Sequence, residues 1–302
     1  MAERMNSQAD AYAVIGCPVE HSLSPRIHTA FARQTGQTLR YVAHRVEPEA
    51  LQAGVADLFD QGYLGLNVTL PHKQAVQQSC HQLSEAARIA GAVNTLIRDE
   101  QGWRGDNTDG SGFIADLAHA GVTIQGKRVL ILGAGGATRG ILKPLMDQAP
   151  ALLCVSNRNA WKPEQLAEAF QQFGDLTPRT HVALKGDQFD LIINATAAGH
   201  AQRWLKLPPG LLAEGGDCYD LSYGKAHAPF AEWAEQQGAN KIMDGLGMLV
   251  EQAADAFALW RGIRPQTHDI LAELHADCDL ESDAAVSPKR FRRPHVEMAP
   301  QD

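Results

Sequence analysis

Cysteine is sparse and scattered. The five thiols, Cys17, Cys80, Cys154, Cys218 and Cys278, are odd in number and form no C-x-x-C pair. That pattern fits the reduced thiols of a cytoplasmic protein better than a disulfide framework. The twelve histidines show neither H-x-x-x-H nor H-x-x-E-H spacing, so no metal ion is expected. No G-x-S-x-G is present, which argues against a serine hydrolase. Basic excess is missing too: 27 Lys and Arg face 35 Asp and Glu, a net charge of −8, and no nucleic-acid partner is expected. No apolar run approaches the ~20 residues that cross a bilayer, and no repeat of solenoid period is visible. The opening residues, with Glu3, Arg4 and Asp10 and no apolar stretch, do not read as a signal peptide.

What is present is an ordinary globular composition, 44% apolar and 21% charged over 302 residues, enough for two domains with cores. The chain is organised around Val129-Leu130-Ile131-Leu132 followed at once by Gly133-Ala134-Gly135-Gly136-Ala137-Thr138-Arg139-Gly140. Four apolar residues in a row read as a strand buried on both faces. Ile141, Leu142 and Leu145 then continue at helical spacing. Strand, glycine turn and helix aim free backbone N–H groups at a phosphate, which points to a dinucleotide. The spacing is G-x-G-G-x-x-x-G, with Thr138 where a strict G-x-G-x-x-G has its third glycine.

Alternation of strand and helix runs along the chain on both sides of this turn. Before it, strands are expected at 11–16, 39–46, 64–68 and 92–98, with 103–107 pairing back as a hairpin. Helices are expected after Ser24 as N-cap and Pro25 as first residue, after Pro48, and from the Lys73 turn to about Ile89. Beyond it, strands are expected at 129–132, 152–156, 191–194 and 218–221, and helices at 137–148, kinked by Pro144, 163–173 and 229–237. The second strand ends Ser156-Asn157-Arg158-Asn159 with Lys162 close behind and no carboxylate before Glu164. An acidic residue there would take a ribose 2′-hydroxyl; an arginine and a lysine suit a 2′-phosphate, so NADP is the expected cofactor. From Gly245 the residues Leu246, Leu249, Val250, Ala253 and Phe257 make one helical stripe, and Thr267 opens a second helix with Ile270, Leu271 and Leu274. From Leu280 the composition is polar, and a disordered tail is expected, its run Lys289-Arg290-Phe291-Arg292-Arg293 solvated.

Some polar residues fall at places that could carry chemistry. Lys73 follows a strand, at the mouth of the sheet where ligands of open α/β sheets sit. Asn94 is polar within an apolar strand and needs a partner. Asp109 lies in Gly105-Asp106-Asn107-Thr108-Asp109-Gly110, which is also plain turn chemistry. Ser22 and Ser24 share one loop.

Read together and in order, His21-Ser22-Leu23-Ser24-Pro25, Asn67 through Lys73, Gly91-Ala92-Val93-Asn94-Thr95, Gly105 through Gly110, Gly133 through Gly140, Asn194-Ala195-Thr196 and Asp244 through Gln252 resemble the shikimate dehydrogenase family. The resemblance covers residues 12 to about 276. It implies an α/β protein of two domains: a substrate and catalytic domain over 1–109 and a Rossmann-type NADP-binding domain over 110–244. Helices at 245–279 would return to pack on the first domain, and the disordered tail would occupy 280–302. It implies NADP-dependent, reversible reduction of 3-dehydroshikimate to shikimate, by a cytoplasmic monomer or homodimer. Ser22 and Ser24 would hold the substrate carboxylate with Tyr223 near it. Thr69, Asn94, Asp109 and Gln252 would bind around the ring, and Lys73 and Asp109 would be the catalytic pair. Gly133, Ala134, Gly135, Gly136, Ala137, Thr196 and Gly245 would line the cofactor site, with Asn157, Arg158 and Lys162 facing the adenosine phosphate. Asn159, Lys162 and the pair Ala197-Ala198 depart from the family's usual residues. A quinate/shikimate dehydrogenase using NAD, or a nucleotide-sensing regulator on the same scaffold, are the other readings.

Overall fold

A computed structural model describes residues 9–201 and 204–286. In chain order its strands are β1 (Asp10–Gly16), β2 (Leu39–Arg45), β3 (Gly65–Val68), β4 (Cys80–Leu83), β5 (Thr95–Asp99), β6 (Gly102–Asp106), β7 (Arg128–Leu132), β8 (Leu152–Asn157), β9 (Thr177–Thr180), β10 (Phe189–Asn194), β11 (Leu212–Asp220) and β12 (Lys241–Met243). The α-helices are α1 (Ser24–Thr35), α2 (Leu51–Asp60), α3 (Glu85–Ala90), α4 (Asp109–His119), α5 (Gly136–Asp147), α6 (Trp161–Phe170), α7 (Ala228–Gln236), α8 (Leu246–Arg261) and α9 (His268–Val286).

Two six-stranded sheets result. The first runs β2-β1-β3-β5-β6-β4. It is mixed: β1 is parallel to β2 and β3, whereas β5 is antiparallel to both β3 and β6. The tight link Glu100-Gln101 between β5 and β6 permits only a hairpin there. The second sheet runs β12-β11-β10-β7-β8-β9 with every pair parallel. The middles of its central strands are apolar, and Val129 to Leu132 and Ile192 to Ile193 are fully enclosed. Strand order reverses between β7 and β10, the place where a crevice opens at the carboxyl ends of a doubly wound sheet.

Several departures from the sequence reading sit at sheet edges. The segment expected to be helical up to Ile89 instead contains a 3₁₀ turn (Ala75–Ser79), then β4, then α3. β4, β9 and β12 are edge strands of three or four residues with few enclosed side chains, too short to show a period of two. Pro178 stands inside β9, which an edge tolerates. β11 begins six residues before the expected start, because a register shift near Gly215 and Gly216 hides its first half. Ser24 is the first helical residue of α1 and caps nothing; Leu23 holds the cap position. α5 contains Pro144, as expected of the helix at 137–148. α9 continues to Val286, past the Leu280 at which a tail is expected; the rest of that stretch, with its basic run, lies outside the described residues.

α8 returns to the first sheet. Leu246, Val250, Ala253, Ala254 and Phe257 pack with Ile27 and Phe31 of α1 and with Ile270 and Leu274 of α9 in one enclosed cluster. Burying the valine, leucine, isoleucine and phenylalanine side chains among them stabilises by about 1.5–3 kcal/mol each. α4 and α8 lie in direct contact: a Cβ on Gly112 would fall 2.6 Å from the backbone N of Gln252. These two helices therefore join the sheets and bring the start of α4 against the middle of α8.

Candidate active site

A cavity of about 650 Å³ opens where the two sheets face each other. Its walls include Ser22, Ser24, Asn67, Thr69, Lys73, Asn94, Asp109, Tyr223, Gly245 and Gln252. Lys73 is supplied by the turn after β3, held by a bond from Val93 N to its carbonyl. Asp109 is the first residue of α4, where a carboxylate is favoured by the helix dipole. Lys73 Nζ donates to Asp109 Oδ2 at 2.7 Å, the lysine side chain 23% exposed and the aspartate 7%. The ammonium has two further hydrogens and faces the cavity.

Asn94 sits just before β5 and is spent on both ends. Its Nδ2 donates to Asp109 Oδ1 at 2.8 Å and to Thr108 Oγ1 at 3.0 Å, with Gln252 Oε1 at 3.3 Å. Its Oδ1 accepts from Thr108 N and Thr95 Oγ1. Thr108 Oγ1 in turn donates to the Gln252 carbonyl at 3.0 Å. Both Asp109 oxygens thus have a donor, and the carboxylate is fixed from two directions. Ser22 Oγ accepts from Ser24 N at 3.3 Å, which leaves its hydroxyl hydrogen to donate. Gly16 lets Thr69 come close: a Cβ there would lie 2.5 Å from Thr69 Cγ2.

The sequence reading passed over Asn67 and Thr108. Asn67 is a buried polar residue inside β3, the same signal that singled out Asn94. Its Oδ1 accepts from Tyr41 OH at 2.7 Å, and its Nδ2 donates to Asn94 O and Thr95 Oγ1. Burial pushes the Tyr41 phenol well above its usual range, which keeps it a donor.

The glycine turn lies behind Asp109, a residue of the cavity wall. Gly133 has φ +108° and lies so close to the neighbouring turn that a Cβ would sit 2.8 Å from Ala195 O. Thr138, standing for the third glycine, donates its hydroxyl to Gly133 O at 2.9 Å and braces the turn. At Gly135, before α5, no atom lies within 4 Å of a built Cβ, so the start of the helix opens onto free space. Gly136 faces Gln74, the neighbour of Lys73, and Gly140 lies against Asp109: a Cβ there would be 3.3 Å from Asp109 Cβ. Ala134 and Ala137 flank these positions. On the other side of the crevice Thr196 Oγ1 donates to Asn194 Oδ1, whose amide donates to the enclosed Asp220. Gly245 packs against Leu221 O. Asn157, Arg158 and Lys162 lie apart from the cavity, at the end of β8 and the start of α6.

Residues 14–96 match the family model described as the shikimate dehydrogenase substrate binding domain. Residues 116–202 match shikimate / quinate 5-dehydrogenase, and residues 245–275 the shikimate 5′-dehydrogenase C-terminal domain. Over 269 residues the chain is 48% identical to the shikimate dehydrogenase (NADP(+)) of Dechloromonas aromatica, covering 89% of this chain and 98% of that one. The chain belongs to the shikimate dehydrogenase family. Its fold is similar to that of an Ael1 enzyme from Pseudomonas putida, with TM-score 0.82 and 38% identity over 88% of this chain and 98% of that one. It is also similar to the shikimate 5-dehydrogenase of Thermus thermophilus solved with NADP(H) and shikimate, with TM-score 0.77 and 31% identity over 89% and 99%. Lys73, Asp109, Asn94 and Gln252 come from four separate stretches of the chain and form one hydrogen-bonded group. Among the described residues no helix is long and apolar enough to cross a membrane.

Proposed function

We propose that this protein is a cytoplasmic NADP-dependent oxidoreductase that interconverts 3-dehydroshikimate and shikimate. The observation that carries the reading is the Lys73–Asp109 ion pair at 2.7 Å in the cavity wall, with the glycine turn of a parallel sheet packed against Asp109.

The residues fit the dinucleotide. The free space above Gly135 and the uncapped N-terminus of α5 suit a pyrophosphate. Arg158, with no carboxylate between Ser156 and Lys162, suits a 2′-phosphate. The reduced nicotinamide would supply hydride to the substrate carbonyl carbon. The protein's own part is to hold the ring and manage the proton. Ser22 and Ser24, with Tyr223 beside them, receive the carboxylate; Thr69, Asn67, Asn94 and Gln252 surround the ring hydroxyls. As negative charge grows on the carbonyl oxygen, a donor is needed within about 3 Å. Lys73 Nζ is placed for this, and Asp109 keeps the ammonium aimed into the cavity. In the reverse direction the same pair takes the proton from the hydroxyl.

A matrix of shikimate or quinate against NADP⁺ or NAD⁺, followed by nicotinamide absorbance, tests the reading. Shikimate with NADP⁺ is expected to exceed shikimate with NAD⁺ by at least tenfold in kcat/KM, roughly 1.4 kcal/mol. Equal use of both cofactors, or no turnover of shikimate, would refute it.

A further inference from the structure

The carboxyl ends of β8 and β9 lie side by side, with Asn157 paired to Thr180. The residue following each pair is Arg158 on one strand and His181 on the other. Arg158 makes no hydrogen bond or ion pair among the described residues and is exposed. His181 is half-buried. Its Nδ1 shares a 2.9 Å hydrogen bond with Oγ of the enclosed Ser156, and its Nε2 makes none among the described residues. A serine hydroxyl can donate to a neutral ring or accept from a charged one. Ser156 can therefore hold the imidazole in one orientation in both states, and the charged ring carries a hydrogen on Nε2.

We propose that His181 is a specificity-determining residue for the nucleotide, a proton-dependent second ligand for the 2′-phosphate beside Arg158. The inference rests on the NADP reading above and deepens it. Arg158 is the charged group that acts on His181 from the β8 side; the 3₁₀ turn Val182–Leu184 that follows it brings no charge, and Arg179 donates to the Pro178 carbonyl. Burial, and then the Arg158 cation, lower the ring's pKa below its ordinary value. The ring is therefore neutral in the free protein near pH 7. A phosphate dianion arriving between the two groups reverses that balance, so binding draws a proton onto His181. A nucleotide with a bare 2′-hydroxyl draws none. The chain thus gains a discrimination that strengthens as pH falls, whereas Arg158 contributes equally at every pH.

The test is the Kd of NADP⁺ and of NAD⁺ by tryptophan fluorescence near pH 6 and near pH 8.5, for the unmodified chain, His181→Gln and His181→Arg. Calorimetry in buffers of different ionisation enthalpy counts protons taken up. His181→Gln should weaken NADP⁺ roughly tenfold near pH 6 and only about twofold near pH 8.5, with NAD⁺ changed less than about twofold. Comparing the two proteins at each pH cancels titration of the phosphate itself. Proton uptake with NADP⁺ should vanish in the Gln variant. His181→Arg should restore NADP⁺ affinity and also abolish the uptake. Equal weakening of both nucleotides, or equal weakening of NADP⁺ at both pH values, would overturn the role of His181. If the unmodified chain binds both nucleotides alike, the NADP reading itself falls.

Discussion

At the scale of single residues, Lys73 and Asp109 are tied together: Lys73 Nζ donates to Asp109 Oδ2, and the Asn94 amide holds the other oxygen. Lys73→Ala leaves a nearly enclosed carboxylate without its cation, and Asp109→Ala leaves an ammonium that no longer points at the substrate. Each is expected to lower kcat by roughly 10²–10⁴, with the double variant little worse than either. NADP⁺ affinity should hardly change. A near-normal kcat in Lys73→Ala, with only a raised shikimate KM, would make Lys73 a binding residue. Lys73 and Asn94 could be singled out in the sequence because a polar group beside buried strand needs a reason. Asp109 could not be separated from an ordinary turn, and Gln252 had no local signal at all; only the ordered set of stretches pointed to them. Asn67 carried the same signal as Asn94 and was passed over within the quoted turn.

At the scale of elements, the contact of α4 with α8 has no room to spare. A methyl group at Gly112 would meet main-chain atoms of Gln252, not a side chain that could swing away. Gly112→Ala should therefore push the helices apart at a cost of about 1–3 kcal/mol and raise the KM for shikimate, since Gln252 moves with its backbone. Urea denaturation and steady-state kinetics on the same variant check both; an unchanged midpoint and KM would mean the helices yield without strain. Central strands were legible as unbroken apolar runs and long amphipathic helices by their period, because burial writes both into the sequence. Edge strands were not, because β4, β9 and β12 take their pairing from a neighbour and bury little of their own.

At the scale of the whole molecule, acid should unfold the protein through His28. The ring is fully enclosed, stacked 4.2 Å from Tyr41, and neither nitrogen has a hydrogen-bond partner among the described residues. Desolvation lowers its pKa to about 3, against about 6.5 in an unfolded chain. Between those values the unfolded state binds a proton that the folded state refuses. Stability is therefore full above about pH 7 and falls as pH drops toward 3, by about 2 kcal/mol at pH 5. His28→Phe keeps the stack and removes the proton site. Its unfolding midpoint should change less between pH 7.5 and 5 than that of the unmodified chain. The same acid loss in both proteins would assign the effect elsewhere.

The return of α8 has a consequence for the order in which the protein can be born. α1 is made early, yet Ile27 and Phe31 on its inner face meet their partners only when Leu246 to Phe257 arrive. On a ribosome, the first sheet waits with one side bare while more than two hundred residues are added and the second sheet, contiguous in sequence from β7 to β12, can already close. The half of the molecule that is translated first is the half that finishes last.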